Sequence, residues 1–325
     1  MCARNDIDKK NMEITKNIIK RYPKELEGYI NSLSRKTSFT KMAYARYVGN
    51  FIDYINNKLN GIVYADIKPM DIDSYMESIR YSSNGKEKSA TYRAAQLAAI
   101  NGFFKFLQKN NIINVNPCDT TEIPKDNNEH QITTISDKDL ETIINNIEHG
   151  TGSDKAKATQ EKWINRDIAI VMLGLTTGLR VSAIAGIDIN DINMTQKYIV
   201  VTEKGDIRKK IYFGDKTKKA LKNWIFDRNH MVDKNEKALF ISQGNHRILT
   251  RTIQNRFKAI TYNINKKITP HKMRATCATR LYEQTGDIYL VQTQLGHKNI
   301  ENTKRYAKVS DDKKREAANI LNDIF

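Results

Sequence analysis

The sequence predicts a mainly α protein with a single small antiparallel β-sheet, divided into two domains by a linker. Three observations carry that expectation. Apolar residues recur at helical spacing along most of the chain, strand-like alternation is concentrated in one place, and a polar stretch holding neighbouring prolines separates the halves. With 325 residues, each half is long enough to bury its own core.

The first domain is placed at residues 1–116, and its opening stretch before Thr37 already has helical rather than strand patterning. Tyr44, Tyr47, Val48, Phe51 and Ile55 repeat at helical spacing, with Thr40 as the expected cap. Pro69 and Asp71 open a further helix carrying Ile72, Tyr75, Met76 and Ile79. The polar run SSNGKEKS at residues 82–89 interrupts the pattern, and another helix starts near Ser89. Its Ile100, Phe103, Phe104 and Leu107 make an i, i+3, i+4, i+7 stripe, which is read as core and not as a site. Residues 117–134 are assigned as the linker, on their prolines and polar composition.

The second domain is placed at residues 135–325 and ends in a C-terminal helix. Ser136 followed by Asp139 signals a helix start before Leu140, Ile143 and Ile144. The polar segment HGTGSDKAKATQEK is expected to be a surface loop. Trp163, Ile164, Ile168, Val171, Met172 and Leu175 mark a largely buried helix ending at Gly178. Residues 198–202 (YIVVT) and 207–213 then read as two strands joined by a turn at 203–206 (EKGD). Helices are expected again at 216–228, at 250–260 with Thr250 as cap, and from there to the C-terminus. The last segment places Ala317, Ile320, Leu321 and Ile324 on one face.

Charge narrows the class of partner. Lys and Arg number 54 against 37 Asp and Glu, a formal net charge of +17. The surplus is spread: 20 basic and 13 acidic residues lie up to position 125, and 34 and 24 after it. Two basic lobes suit a protein that grips a polyanion from two sides. Cys2, Cys118 and Cys277 are odd in number, far apart and in no C-x-x-C pair, which argues for a reducing compartment and against a cysteine zinc site. No apolar run approaches a membrane span, and the N-terminal MCARNDIDKK lacks a signal-peptide core. A cytoplasmic, nucleoid-associated protein that does not engage membranes is the expectation.

Four short pieces stand out from this background: Thr177-Gly178-Leu179-Arg180, Lys204, His271-Lys272-Met273-Arg274, and Leu295-Gly296-His297 followed by Tyr306. In this order they resemble the tyrosine recombinases, the family of the phage integrases. Its signature is an Arg after T-G-L, a hairpin Lys, H-x-x-R, G-H and a Tyr nucleophile. The resemblance covers roughly the whole chain after residue 131, and the helical first half is similar to the family's core-binding domain. It implies a catalytic set of Arg180, Lys204, His271, Arg274, His297 and Tyr306. It also implies site-specific recombination, the integration or excision of a mobile element, through a 3′-phosphotyrosine intermediate.

The residue chemistry agrees with that implication. Breaking a phosphodiester through an enzyme nucleophile needs an attacking group, charge stabilisation on the non-bridging oxygens and a proton for the leaving oxygen. Tyr306 offers the nucleophile. Arg180 and Arg274 offer fork-like donors for phosphate, His271 and His297 offer hydrogen bonds and proton transfer, and Lys204 a proton for the 5′ oxygen. Tyr282 and Tyr289 are the rival nucleophiles, with Tyr289 expected to face the core. No carboxylate cluster for Mg²⁺ and no phosphate-binding G-x-x-x-x-G-K-[ST] loop is present in the sequence, so neither metal nor cofactor is expected. The family pattern is broken at Ala183, where an acidic residue is usual, and at Ala275, where a second His is common.

DNA contacts are expected from two regions. Arg247, Arg251, Asn255, Arg256 and Lys258 surround the helix at 250–260, and Arg46, Lys88 and Arg93 lie in the first domain. The two lobes would close around the duplex as a clamp. The family resemblance further implies a monomer in solution that forms a homo-tetramer on two double-stranded recombination sites through its C-terminal helix. An accessory DNA-bending or directionality factor belongs to the same picture. Two other functions compete: a non-catalytic DNA-binding protein derived from a recombinase, which Ala183 and Ala275 motivate, and a DNA-relaxing enzyme like the type IB topoisomerases.

Overall fold

The computed structural model describes residues 2–59, 63–124, 132–202, 208–233, 235–296, 299–304 and 306. The chain divides into two compact units, Met1–His130 and Gln131–Phe325.

The first unit is helical: α1 (Cys2–Ile19), α2 (Lys24–Ser32), α3 (Ser38–Leu59), α4 (Pro69–Ser78) and α5 (Ala90–Lys109), with a 3₁₀ turn at Tyr64–Asp66. α1 and α5 both pack along α3. The start of α3 is set by Thr37 and not Thr40, because Thr37 Oγ1 accepts the Thr40 amide at 3.2 Å. α4 opens at Pro69, with the Asp71 carboxylate accepting the Lys68 amide at 2.9 Å. Ser89 caps α5 by accepting from the Tyr92 amide. Phe51, Ile52, Ile55, Ile72, Ile100, Phe103, Phe104 and Leu107 form the fully buried centre. Phe51 meets Tyr75 and Phe104 edge-on, at centroid distances of 5.2 and 5.8 Å. The core also takes in Cys118, so the sequence-assigned linker loses its first residues to this unit.

The second unit is organised around α8 (Ile164–Thr177), which packs against α6 (Asp137–Glu148), α10 (Asp215–Asn229) and α12 (Pro270–Thr285). α6 begins with the expected Ser136–Asp139 capping box. The segment read as a loop contains a helix, α7 (Asp154–Glu161), capped by Ser153 and without a buried residue. A helix with no apolar face leaves no periodic signal. The sheet has the order β1-β2-β3, with β1 (Ile192–Asn193), β2 (Tyr198–Thr202) and β3 (Arg208–Tyr212) all antiparallel. Ile199 pairs with Ile211 and Val201 with Lys209. The two-residue β1 is too short to show alternation. The expected turn at 203–206 lies outside the described residues, as do residues 307–325, where the C-terminal helix is expected.

α9 (Val181–Gly186) follows α8 directly, and α11 (Thr250–Ile260), α13 (Ile288–Leu295) and α14 (Glu301–Lys304) are the remaining helices among the described residues. Thr250 is the first residue of α11 and not its cap, since Leu249 holds that position and no side chain caps the helix. α11 buries Ile253, Phe257 and Ile260. Arg251, Asn255 and Lys258, spaced to fall on the opposite face, are exposed.

A buried charge network fixes α11 to the start of α8. Asp167 accepts from Arg166 Nε and Nη2 at 2.9 and 2.7 Å, and its other oxygen pairs with Arg256 Nε at 2.5 Å. Arg256 Nη1 continues to Gln160 Oε1 at 2.5 Å, on α7. The Asp167 side chain is only 4% exposed. Removing its charge while leaving both arginines strands buried cations. Asp167→Asn is therefore expected to destabilise the second unit by about 3 kcal/mol, read as a lowered urea midpoint.

Candidate active site

Gly178 shapes the first motif. It ends α8 in the left-handed region, at φ 66°, and turns the chain so that Arg180 becomes the N-cap residue of α9. Space forbids a side chain there as well. A Cβ on Gly178 would lie 2.6 Å from Leu295 Cδ2 and 3.2 Å from Cys277 Sγ. The turn is thus pressed between α12 and α13.

Arg274 converts that proximity into a bonded junction. Its guanidinium is buried, 7% exposed, and donates from Nη1 to the Gly178 carbonyl and from Nη2 to the Leu295 carbonyl, each at 2.7 Å. Three motif pieces remote in sequence therefore meet at one side chain: T-G-L-R, H-K-M-R and L-G-H. Gln294 Nε2 adds a bond to the Thr177 carbonyl at 3.1 Å. Lys209 Nζ, on β3, reaches the Thr293 carbonyl near the end of α13.

The other candidate residues that are described are Arg180, His271 and Tyr306. Arg180 is exposed, and so is His271, in the first turn of α12 after Pro270. Tyr306 is 6% exposed, in a small apolar cluster with Ala275, Ala278, Val291 and Leu295. Its amide donates to the Thr303 carbonyl at 2.8 Å. Ala275 thus lies where its methyl group shares a dry cluster with the tyrosine. Of the rival tyrosines, Tyr282 packs at the edge of the same cluster. Tyr289, expected in the core, is 69% exposed, because it lies on the solvent side of α13 while Val291 and Leu295 face inward. Lys204 and His297 lie outside the described residues. Beside Arg274, burial pushes the Cys277 thiol up to about 11.

The DNA-contact candidates fall into three groups. Arg46, Arg251, Asn255 and Lys258 are exposed. Lys88 lies over the Tyr92 ring at 5.4 Å, and Arg93 pairs with Glu87 at 3.3 Å. Arg247 and Arg256 instead bond protein groups. Arg247 donates to the Ala185 and Ile187 carbonyls, both at 3.1 Å, and pairs with Asp188. Arg256 belongs to the Asp167 network. A basic residue in an amphipathic helix pattern gives no sequence sign of which acid or carbonyl will claim it. Lys209 and Gln294 likewise meet backbone carbonyls to which no local pattern points.

Arg180, the H-x-x-R pair and the buried Tyr306 thus lie in one helical unit. Residues 133–313 match the model of the phage integrase family, and the chain is a member of that family, the tyrosine recombinases. A relative described as tyrosine recombinase XerC, from Caldanaerobacter subterraneus subsp. tengcongensis, is 30% identical over 322 residues, 92% of this chain and 87% of that protein. A XerC from Corynebacterium glutamicum is 32% identical over 233 residues, 71% of this chain and 72% of that protein. Among solved structures, the fold is like that of XerH bound to a palindromic difH substrate. That match has a TM-score of 0.73 and 18% identity, and covers 97% of this chain and 90% of that one. It is also like that of the Tn1549 transposon integrase in complex with a circular intermediate DNA. There the TM-score is 0.72 at 20% identity, with 92% of this chain and 98% of that one covered. No described helix is long and apolar enough to cross a membrane.

Gly178 gives the junction its most direct structural test. A Gly178→Ala substitution combines a left-handed backbone with overpacking against Leu295 and Cys277. It is expected to cost about 2–4 kcal/mol, measured by chemical denaturation, with weakened hydrogen-exchange protection at the start of α9.

Proposed function

We propose that the protein is a site-specific recombinase that integrates or excises a mobile element, with Tyr306 as its nucleophile. The observation that carries this reading is the Arg274 junction, which gathers Arg180 and the turn before His297 beside the cluster holding Tyr306. In the proposed step the Tyr306 hydroxyl oxygen attacks the scissile phosphorus and the bond to the 5′ oxygen breaks. The phosphate remains on Tyr306 as a 3′-phosphotyrosine. Arg180 and Arg274 neutralise the non-bridging oxygens. His271 and His297 hold the phosphate and take the tyrosine proton, and Lys204 protonates the departing 5′ oxygen. Rejoining is the same exchange in reverse, with a 5′ hydroxyl from the partner strand. Because Tyr306 is 6% exposed, this reading requires its hydroxyl to become accessible when DNA binds.

Supporting a nucleic-acid partner are the exposed Arg251, Asn255 and Lys258 on one face of α11, proposed to enter a groove, and Arg46 and Lys88 in the first unit. The protein is proposed to act in the cytoplasm at the nucleoid, as a monomer that becomes a tetramer on two sites. The XerC relative matched over 92% of the chain favours a second biological role, Xer-type resolution. The recovered target site separates the two roles, because a resolution site lies on the chromosome itself and an element's site at its ends.

A pool of nicked, randomised duplexes tests the chemistry. Wild-type protein is expected to yield a covalent adduct on a denaturing gel, in EDTA as well, and Tyr306→Phe to yield none. DNA binding without any adduct would instead favour a non-catalytic binding protein, and an adduct from Tyr306→Phe would point to another nucleophile. On the recovered site, Lys258→Ala is expected to lower the salt slope of binding by about 1. Arg251→Ala and Asn255→Ala should cost about 1–3 kcal/mol each and relax the sequence preference, as a competition binding assay would show.

A further inference from the structure

Arg180 stands at the head of a helix that cannot hold itself in place. α9 has six residues, and no side chain caps its N-terminus. So short a helix is not stable alone, and its last carbonyls have no partner within it. The position of Arg180 is therefore set by the burial of Val181, Ile184 and Ala185, by the Leu239 amide donating to the Ile187 carbonyl at 2.9 Å, and by the side chains that grip the two ends of the segment from outside.

Both ends are gripped by an arginine. Before Arg180, the Gly178 carbonyl accepts from Arg274 at 2.7 Å. Beyond α9, Arg247 Nη1 donates to the carbonyls of Ala185 and Ile187, both at 3.1 Å, while Nη2 pairs with the Asp188 carboxylate. Arg247 is itself on fixed backbone. It forms a β-bridge with the fully buried Ile241, and the next amide, of Ile248, donates to the Phe240 carbonyl at 2.9 Å. Ala183, midway along α9, is partly buried against the apolar core and has no polar group with which to brace the helix.

We propose that Arg247 is a positioning residue for Arg180: by holding the C-terminal carbonyls of α9 and Asp188, it sets where the Arg180 guanidinium meets the scissile phosphate. The residue therefore affects transition-state charge neutralisation without touching DNA. This inference rests on the reading of Arg180 as a phosphate-binding group. A displacement of about 1 Å in such a group costs about 100-fold in rate.

The test uses nicked duplexes of the recovered site with either a normal phosphate or a methylphosphonate at the scissile position. A methylphosphonate has no anionic oxygen, so it depends less on a neutralising arginine. Single-turnover adduct formation is measured for wild type, Arg180→Ala, Arg247→Ala and Arg247→Lys, alongside melting temperature and DNA affinity. Arg247→Lys keeps the charge but cannot grip two carbonyls and Asp188 together, and it serves if the alanine variant fails to fold.

Arg180→Ala should be severely slowed on phosphate and largely restored on methylphosphonate. The Arg247 variants should show the same pattern in smaller degree, losing about 10- to 100-fold on phosphate and recovering most of it on methylphosphonate, with DNA affinity unchanged. If Arg180→Ala follows this pattern but the Arg247 variants are unaffected, or lose equally on both substrates, the positioning role is overturned and the reading of Arg180 stands. Wild-type rates from Arg180→Ala would overturn that reading and this inference with it.

Discussion

The bonds from Arg274 to the Gly178 and Leu295 carbonyls are the constraint on which the second unit's site depends. Each carbonyl lies at the end of a helix, where the chain has run out of amide donors of its own. A buried, unpaired carbonyl costs about 1–3 kcal/mol. One guanidinium satisfies two of them and fixes the distance between α8, α12 and α13. The glycine at 178 is needed for the same reason: only a residue without Cβ lets α8 end, turn and sit against Leu295 and Cys277. Stability and site geometry are here one set of contacts.

That theme extends beyond the site. Arg228 donates to the Ala238 and Glu236 carbonyls, and Arg166 to the Ile241 carbonyl. Together with the Trp224 indole on the Leu239 carbonyl, they secure an irregular, fully buried stretch of backbone. Arg247 is similarly committed to two carbonyls and the partly exposed Asp188, and Arg256 to the buried Asp167. A formal charge of +17 therefore overstates the positive charge that faces a polyanion, since several arginines are structural. The exposed cations of α11 stand apart because their helix buries its other face.

Much of this was legible in the sequence where the signal is local. The Ser136–Asp139 box, the Pro69 start, the Gly178 stop and the β2–β3 pairing each follow from residue chemistry within a few positions. The ordered motifs located the Arg274 junction because they name the residues that meet there. What stayed hidden was tertiary. α7 has no apolar stripe, α3 begins at Ser38 so that Thr37 and not Thr40 caps it, and Tyr289 shares a helix with core residues but not their face. The bonding of Arg247 and Arg256 depends on partners 59 to 96 residues away, which no local pattern encodes.

In the proposed function the Arg274 junction assembles a phosphotyrosine-forming site. This reading is tested most directly by a crystal structure of the protein covalently trapped on a nicked duplex. The expected result is a phosphate joined to Tyr306, with the Arg180 and Arg274 guanidinium groups at hydrogen-bonding distance from its non-bridging oxygens. Arg274 should remain bonded to the Gly178 and Leu295 carbonyls. A phosphate joined to another residue, or one reached only after Arg274 has left both carbonyls, would contradict it.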